Sequence, residues 1–495
     1  MPKSDDNVSD AFLTWAGRIP DAPAIIDESS IVTFGELEMA MRRAAHSFAE
    51  RGWRPGSVVG VALEHAPVAL HLAATLALAK LGIVHLIISG DEVQCGEAAR
   101  LLRRHGASGV LSNMPLPDDI CCPAIALDAS ILSPSAPVPV EISQANGDDL
   151  PWLLARSSGT TGEPKEYYLT HAMELARHTT KPPEVKLAMG DRFTTLVDLG
   201  FITGLRASLW CLFDGGTIVV LPRKATADVF STIDRFGVTS VICTPGHLPF
   251  LCAGLKGEKP RLPFVKTFRV SGAAVAETVL KQAQRCLTPN LLIIYGANEA
   301  WNIAVATGDL LARFPATAGY LAPGVDLQIV DQLHNPVPPG TLGEVRVRAP
   351  GMIAGYIENP DADARHFRDG WFYPRDAGTL SEEGLLFLSG RTDEMMNFDA
   401  MLVSPQEIEK IVFKYPAITD AAAFGVPHES RGDLPYVAVV SDTAVNKEQL
   451  LAYCQSHLGR HAPVAALQVQ ALPRNATGKV LRRKLTEAVI RHLHR

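Results

Sequence analysis

The chain has 495 residues, 47% of them hydrophobic and 20% charged, a composition that supplies a sizeable core and excludes a disordered chain. Lysine plus arginine at 46 against aspartate plus glutamate at 53 leaves a net charge of −7, which offers no general attraction to nucleic acid or an anionic membrane, so any polyanion must be bound locally. The eight cysteines are scattered, with Cys121 and Cys122 the one close pair, which argues against a CxxC metal site or a disulfide framework and for a reduced, cytoplasmic setting.

The N-terminal stretch MPKSDDNVSDAF has no apolar core of signal-peptide type. Residues 34–51 and 66–80 carry apolar side chains at helical spacing, and the β-branched runs 58–62 and 83–89 alternate with them, a pattern of α/β layers. The most apolar region, 66–88, is interrupted by His71, Lys80 and a Leu81-Gly82 break and reads as a buried helix followed by a strand, with no integral membrane segment. A proline-rich connector at 132–140 leads to an apolar strand at 152–155.

That strand presents SSGTTGEPK at 157–165. Glycines let backbone N–H groups approach phosphate oxygens, Ser158, Thr160 and Thr161 add hydroxyl donors, and Lys165 adds a cation, so the loop suits a polyphosphate; a polar surface turn is the other reading of the same residues. It is not a Walker A loop, because the GxxxxGK[ST] spacing is absent and, with Pro164 before the lysine, the chain is not expected to enter a helix as a Walker A loop does. Further strands are expected at 217–221, 238–243, 267–270 and 291–295, separated by helix-like sequence, with the ligand crevice at their carboxyl ends. From Gly343 the chain alternates polar and apolar residues with frequent turns, an antiparallel texture. Beyond Arg391 a compact α+β segment is expected, with a helix at 405–413, strands at 420–424 and 436–440, and a basic helical end at 479–495.

Five stretches in order, SSGTTGEPK, YGANE at 295–299, GWFYPRDAG at 370–378, GRTDEMMNFDAMLVSPQEIE at 390–409 and PRNATGKVLRRKL at 473–485, together resemble the core motifs of the adenylate-forming superfamily, which includes acyl- and aryl-CoA synthetases. The resemblance spans most of the chain. It implies an α/β fold in which a large N-terminal region of two α/β subdomains and a small β-barrel-like subdomain (1–389) is followed by a small mobile α+β domain (390–495). The implied activity uses ATP and Mg2+ to convert a carboxylic acid to an acyl-adenylate, with loss of pyrophosphate, and then passes the acyl group to a thiol. A carboxylate is a poor electrophile, so it must be held in line with the α-phosphorus while developing charge is neutralised.

Carried over position by position, the resemblance implies that Ser158, Thr160, Thr161, Gly162 and Lys165 hold the phosphates and that Glu299 binds magnesium. Gly272, Ala273 and Ala274 would offer backbone to adenine, Tyr295, followed by Gly296, could stack on it, and Asn298 could donate to a phosphate through its amide; Asp376 would accept both ribose hydroxyls, and Arg391 would contact ribose and phosphate. Lys479 would be the catalytic lysine delivered by the small domain, and Asp393 the hinge. The acyl pocket falls to LGFITG at 199–204, in particular Phe201, Thr203 and Gly204, with Pro245, Gly246, Ser271 and Ala297 near it. These residues suit a fatty or aromatic acid, although Asp198 could also face the pocket.

Glu166, Asn298 and Arg375 depart from the family's usual glycine, threonine and glycine, and Asp399-Ala400 stands where many thioester-forming relatives carry a Gly-Gly pair against the pantetheine tunnel. The acceptor therefore stays open between CoA and the phosphopantetheine of an acyl carrier protein, either of which Arg482, Arg483, Lys484 and Arg491 could meet. A nucleotide-binding homologue without turnover is the alternative from a different class.

Overall fold

A computed structural model of the protein describes residues 7–64, 66–127, 129–133, 149–157, 164–222, 226–255, 259–399, 401–474 and 480–493. The helix Phe34–Glu50 starts where the Thr33 hydroxyl accepts from the Glu36 N–H and the Glu36 carboxylate accepts from the Thr33 N–H, a reciprocal cap that also ends the strand Ile31–Thr33. Its buried stripe of Phe34, Leu37, Met41, Ala45 and Phe48 faces the helix Val68–Lys80. In that second helix every residue from Ala69 to Ala79 is buried, so its uniformly apolar sequence reflects a position between layers. Among the described residues no helix is long and apolar enough to cross a membrane.

Three sheets organise the described chain. The first runs Ala124–Ile125, Gly109–Ser112, Val58–Ala62, Val84–Ile87, Pro151–Ser157 and Lys165–Thr170, parallel until the last pair, which is an antiparallel hairpin with Ser157 opposite Lys165. The second has Ile31–Thr33 at its edge, antiparallel to Pro23–Ile26, and then runs parallel with Pro23–Ile26, Thr217–Val219, Arg192–Thr195, Ser240–Cys243, Thr267–Ser271 and Leu291–Ala297 side by side. It turns antiparallel at Trp301–Ala306 and Thr317–Leu321 and continues through Leu386–Arg391, Asp376–Leu380, Gly343–Arg348 and Asp326–Val330. One core cluster takes in Val59 and Leu153 of the first sheet and Phe193 and Ile242 of the second, with Leu72, Leu76, Leu209 and Leu212 of the intervening helices.

The third sheet, Met401–Val403, Met396–Phe398, Gly432–Val440, Asp420–His428 and Ala465–Gln468, has its own core around Ile408, Val437, Leu450 and Cys454. The chain passes from the second sheet to the third between Arg391 and Met396. The α/β class, the large first region and the small α+β final segment agree with the sequence reading. The expected strands all form, some longer than their apolar runs: Asp420–His428 extends four residues past Phe424 because it pairs throughout with Gly432–Val440. The helix Val8–Arg18 and the short strands Pro23–Ile26 and Ile31–Thr33 were not anticipated; strands of 4 and 3 residues are too short to display a period. The connector at 134–140 lies outside the described residues.

Candidate active site

The Gly/Thr loop joins two strands of a hairpin, so Lys165 opens a strand and not a helix. Ser158, Thr160, Thr161 and Gly162 lie outside the described residues, as does Lys479. The entering strand is anchored by Arg156, whose Nη2 donates to Ile87 O at 3.0 Å and Glu92 Oε2 at 2.6 Å. On the leaving strand the buried Glu166 carboxylate lies 3.1 Å from Arg104 Nε and 3.3 Å from His105 Nε2. Burial opposes its ionisation, yet hydrogen bonding from His105 and the nearby cations hold it below its ordinary value. The unexpected glutamate thus ties the strand to the end of the helix Glu97–Arg104.

The carboxyl ends of the parallel strands carry the next group. Ser271 ends one strand and is half-buried; Gly272, at φ +104°, and Ala273 and Ala274 follow it, exposed. The neighbouring strand ends with Tyr295, Gly296 and half-buried Ala297, followed by half-buried Asn298 and buried Glu299. A Cβ on Gly296 would lie 2.1 Å from Trp301 O, so the tight turn into Trp301–Ala306 admits only glycine there. Glu299 is fixed at both ends. Its main-chain O accepts from Arg177 Nη2 at 2.8 Å and Ile353 N at 3.0 Å, and its Oε1 accepts from Tyr356 OH at 2.7 Å.

Tyr295 reaches across to Asp376, donating to Oδ2 at 2.5 Å. Asp376 and Arg391 face each other in register on the hairpin Asp376–Leu380/Leu386–Arg391, with Arg391 Nη1 3.8 Å from Asp376 Oδ1. Arg391 also forks onto Asp393, Nε and Nη2 each donating at 2.7 Å. Burial would lower the Arg391 guanidinium, but Asp393 and Asp376 overcome it and push the group up. Lys165 feels the same neighbourhood: burial and the charges of Arg391 and Arg365 lower its ammonium, against Glu299 and Asp393. The structure therefore brings Lys165, Glu299, Tyr295, Asp376, Arg391 and Asp393 from three separate regions into one charged cluster.

Phe201 precedes the helix Ile202–Phe213, and the turn before it is held by Gly200 N donating to Asp198 Oδ1 at 2.8 Å. A Cβ on Gly204 would lie 2.3 Å from Asp198 O, so this glycine lets the helix start against the turn. Phe201 and Thr203 are half-buried and Gly204 is buried. Leu199, Ile202 and Trp301 pack on the same core cluster.

Sequence reasoning missed the supports beneath these groups. Arg206 is fully buried, its Nε 2.8 Å from Glu174 Oε2 and its Cζ 3.6 Å from the centroid of Trp301, itself at φ +63°. The signal was available, since a lone arginine inside the apolar run ITGLRASLWCLF must find a buried partner. Tyr356 and His366 had no such signal. Of the four basic residues at the end of the chain, Arg482 is spent on Glu394 Oε2 at 2.8 Å, Glu409 Oε1 at 2.7 Å and Ala423 O at 2.9 Å, because the helix Arg482–Leu493 packs against Asp420–His428, whereas Arg483, Lys484 and Arg491 are exposed, Arg483 in a pair with Glu487 one helical turn on at 2.8 Å.

The family model described as AMP-binding enzyme matches residues 12–357, and that described as AMP-binding enzyme C-terminal domain matches residues 407–479. The chain belongs to the AMP-binding enzyme family. As a member of this family it is 27% identical over 500 residues to a 4-chlorobenzoate–CoA ligase of Arthrobacter sp., covering 97% of this chain and 95% of that protein. It is 28% identical over 488 residues to a 2-succinylbenzoate–CoA ligase of a Geobacillus sp., covering 97% and 96%. The o-succinylbenzoate CoA synthetase of Bacillus subtilis, solved with its acyl-adenylate intermediate, shares the fold with a TM-score of 0.87 at 23% identity, covering 98% of both chains.

Proposed function

We propose that this AMP-binding enzyme is an ATP-dependent acid–CoA ligase. It activates a fatty or aromatic carboxylic acid to an acyl-adenylate with release of pyrophosphate and transfers the acyl group to the thiol of CoA. The observation that carries the reading is the convergence of Lys165, Glu299, Asp376 and Arg391 around the carboxyl ends of the second sheet, linked by the contacts described above. The named relatives that span nearly the whole chain are CoA ligases of aromatic acids, which supports the aromatic member of the substrate class and CoA as acceptor.

In this reading Asp376 accepts the ribose hydroxyls while Tyr295 occupies its other side, and Gly272, Ala273 and Ala274 offer exposed backbone to the base. Lys165, with Ser158, Thr160, Thr161 and Gly162, cradles the β- and γ-phosphates, and Arg391 turns from Asp393 toward the nucleotide. The residues fit magnesium: Tyr356 occupies Glu299 Oε1, and the carboxylate's second hard oxygen suits an ion that otherwise prefers phosphate and water. That ion would neutralise phosphate charge as the acid attacks. The carboxylate oxygen bonds to the α-phosphorus as the bond to pyrophosphate breaks. Lys479, from the small domain, stabilises that charge and is withdrawn as the domain, 390–495, turns about Asp393, so that the thiol, giving up its proton, attacks the acyl carbon and the acyl–phosphate bond breaks with AMP leaving. Phe201, Thr203, Gly204, Ser271 and Ala297 line the acyl pocket. A reducing, cytoplasmic setting belongs to the same proposal, supported by eight cysteines that are all free.

Pyrophosphate release over a panel of aromatic, fatty and dicarboxylic acids, with CoA, with holo carrier protein and with neither, tests this function, with Lys479→Ala as control. Acid-dependent release lost in the variant and accelerated by CoA is expected. Acceleration by carrier protein alone would reassign the acceptor, and ATP binding without release on any acid would identify a non-catalytic homologue.

A further inference from the structure

The Lys165 ammonium does not project freely toward the loop it closes. Its Nζ lies 2.6 Å from His366 Nε2, a residue 201 positions away. The other ring nitrogen, Nδ1, is 2.9 Å from Tyr373 O, a carbonyl that can only accept, so Nδ1 carries the proton and Nε2 presents a lone pair to the ammonium. His366 is 8% exposed, and its ring stacks on Phe372 at 6.0 Å and 20° and meets Tyr356 edge-on at 5.8 Å and 86°. It therefore has one orientation. Lys165 Nζ also lies 5.2 Å from the Tyr356 ring centroid, and the hydroxyl of that ring is bound to Glu299.

From this geometry we infer that His366 is a positioning residue for Lys165, holding the ammonium in place for the phosphates of ATP without neutralising it. A carboxylate could hold the same group, but it would cancel the charge on which phosphate binding depends. A neutral imidazole supplies an acceptor and leaves the full positive charge. Burial, then the cations Lys165, Arg375 and Arg391, push His366 down to about 4, so the ring stays neutral at physiological pH. A lysine side chain otherwise loses considerable rotamer freedom on binding phosphate, and one already clamped loses less. The inference rests on the acid–CoA ligase reading, which makes ATP the ligand at Lys165.

The test is a double-mutant cycle on the MgATP dissociation constant, which needs no knowledge of the acid. His366→Phe, which keeps a flat ring but cannot accept, is expected to weaken MgATP about 10-fold, and to add less than about 2-fold when Lys165 is already methionine. His366→Gln, a neutral acceptor, should stay within about 3-fold of wild type, whereas His366→Glu should weaken binding about as much as His366→Phe. Should His366→Phe fail to fold, the contrast between the Gln and Glu variants decides. An equal loss with and without Lys165, or Gln and Glu variants that bind alike, overturns the positioning role and leaves the ligase reading standing. Wild-type protein that binds no MgATP overturns both.

Discussion

The Tyr295 hydroxyl donates to Asp376 Oδ2 at 2.5 Å, joining the end of the last parallel strand of the second sheet to its antiparallel extension. One contact thus couples the sheet that ends at the proposed adenine site to the carboxylate proposed for the ribose. Burial, reinforced by the Asp376 charge, pushes the Tyr295 phenol well above its ordinary value, so it remains a donor at any physiological pH.

That contact can be removed without touching the carboxylate itself. Tyr295→Phe is expected to weaken AMP and ATP binding by about 1–2 kcal/mol, roughly 5- to 30-fold, with little change in how the enzyme ranks different acids. Nucleotide titration by calorimetry measures it; an unchanged dissociation constant would show that the contact is structural only.

Glu299→Gln keeps an oxygen for Tyr356 to donate to and removes the charge proposed for magnesium. Pyrophosphate release should fall by about 100-fold, and the magnesium concentration giving half-maximal rate should rise, while the melting temperature stays near wild type. A variant that loses rate with an unshifted magnesium requirement would place the metal on other groups.

Arg375 sits at φ +67°, in the left-handed region, where the family carries glycine; its guanidinium donates to Glu344 at 2.9 Å and its carbonyl accepts from Thr392 N at 2.7 Å. Both Arg375→Ala and Arg375→Gly lose the ion pair, but only glycine relieves the backbone. The glycine variant should therefore be the more stable of the two by about 1 kcal/mol in denaturant unfolding. The reverse order would mean the backbone strain is negligible.

His71, His171 and His366 are each pushed down to about 4, by burial above all, from an ordinary 6.5. Below 6.5 the unfolded chain takes up protons that the folded chain refuses. Stability should be full above that value and decline as pH falls toward 4, at no more than about 1.4 kcal/mol per pH unit for each group. Denaturant midpoints from pH 7.5 to 4.5 follow it. His171→Gln, which keeps an acceptor for the Val8 N–H now bound to Nδ1 at 3.2 Å, should flatten the decline. A midpoint flat across the range would show that these rings protonate while folded.

Much of the scaffold was legible because it depends on local pattern. The uniformly apolar 69–79 helix, the strand runs and the glycine turns declare themselves through periodicity and backbone restriction. The proposed site was legible only where motif spacing carried it, as for Lys165, Glu299, Asp376 and Arg391. Of their supports only Arg206, a lone arginine in an apolar run, left a signal; Tyr356 and His366 left none, because a contact between residues far apart in the chain leaves no periodic trace.

The sequence by itself determined the α/β class, the small α+β segment at the end and the family, since each follows from short-range pattern or contiguous motif. Only the tertiary structure decided which charges are free and which are spent. It placed Arg482 inside the small domain on Glu394 and Glu409, paired Glu166 with Arg104 and His105, forked Arg391 onto Asp393, and set His366 against Lys165. The reason is physical: a side chain's charge is known from its identity, but its partner, its burial and therefore its availability depend on groups that folding brings from elsewhere in the chain.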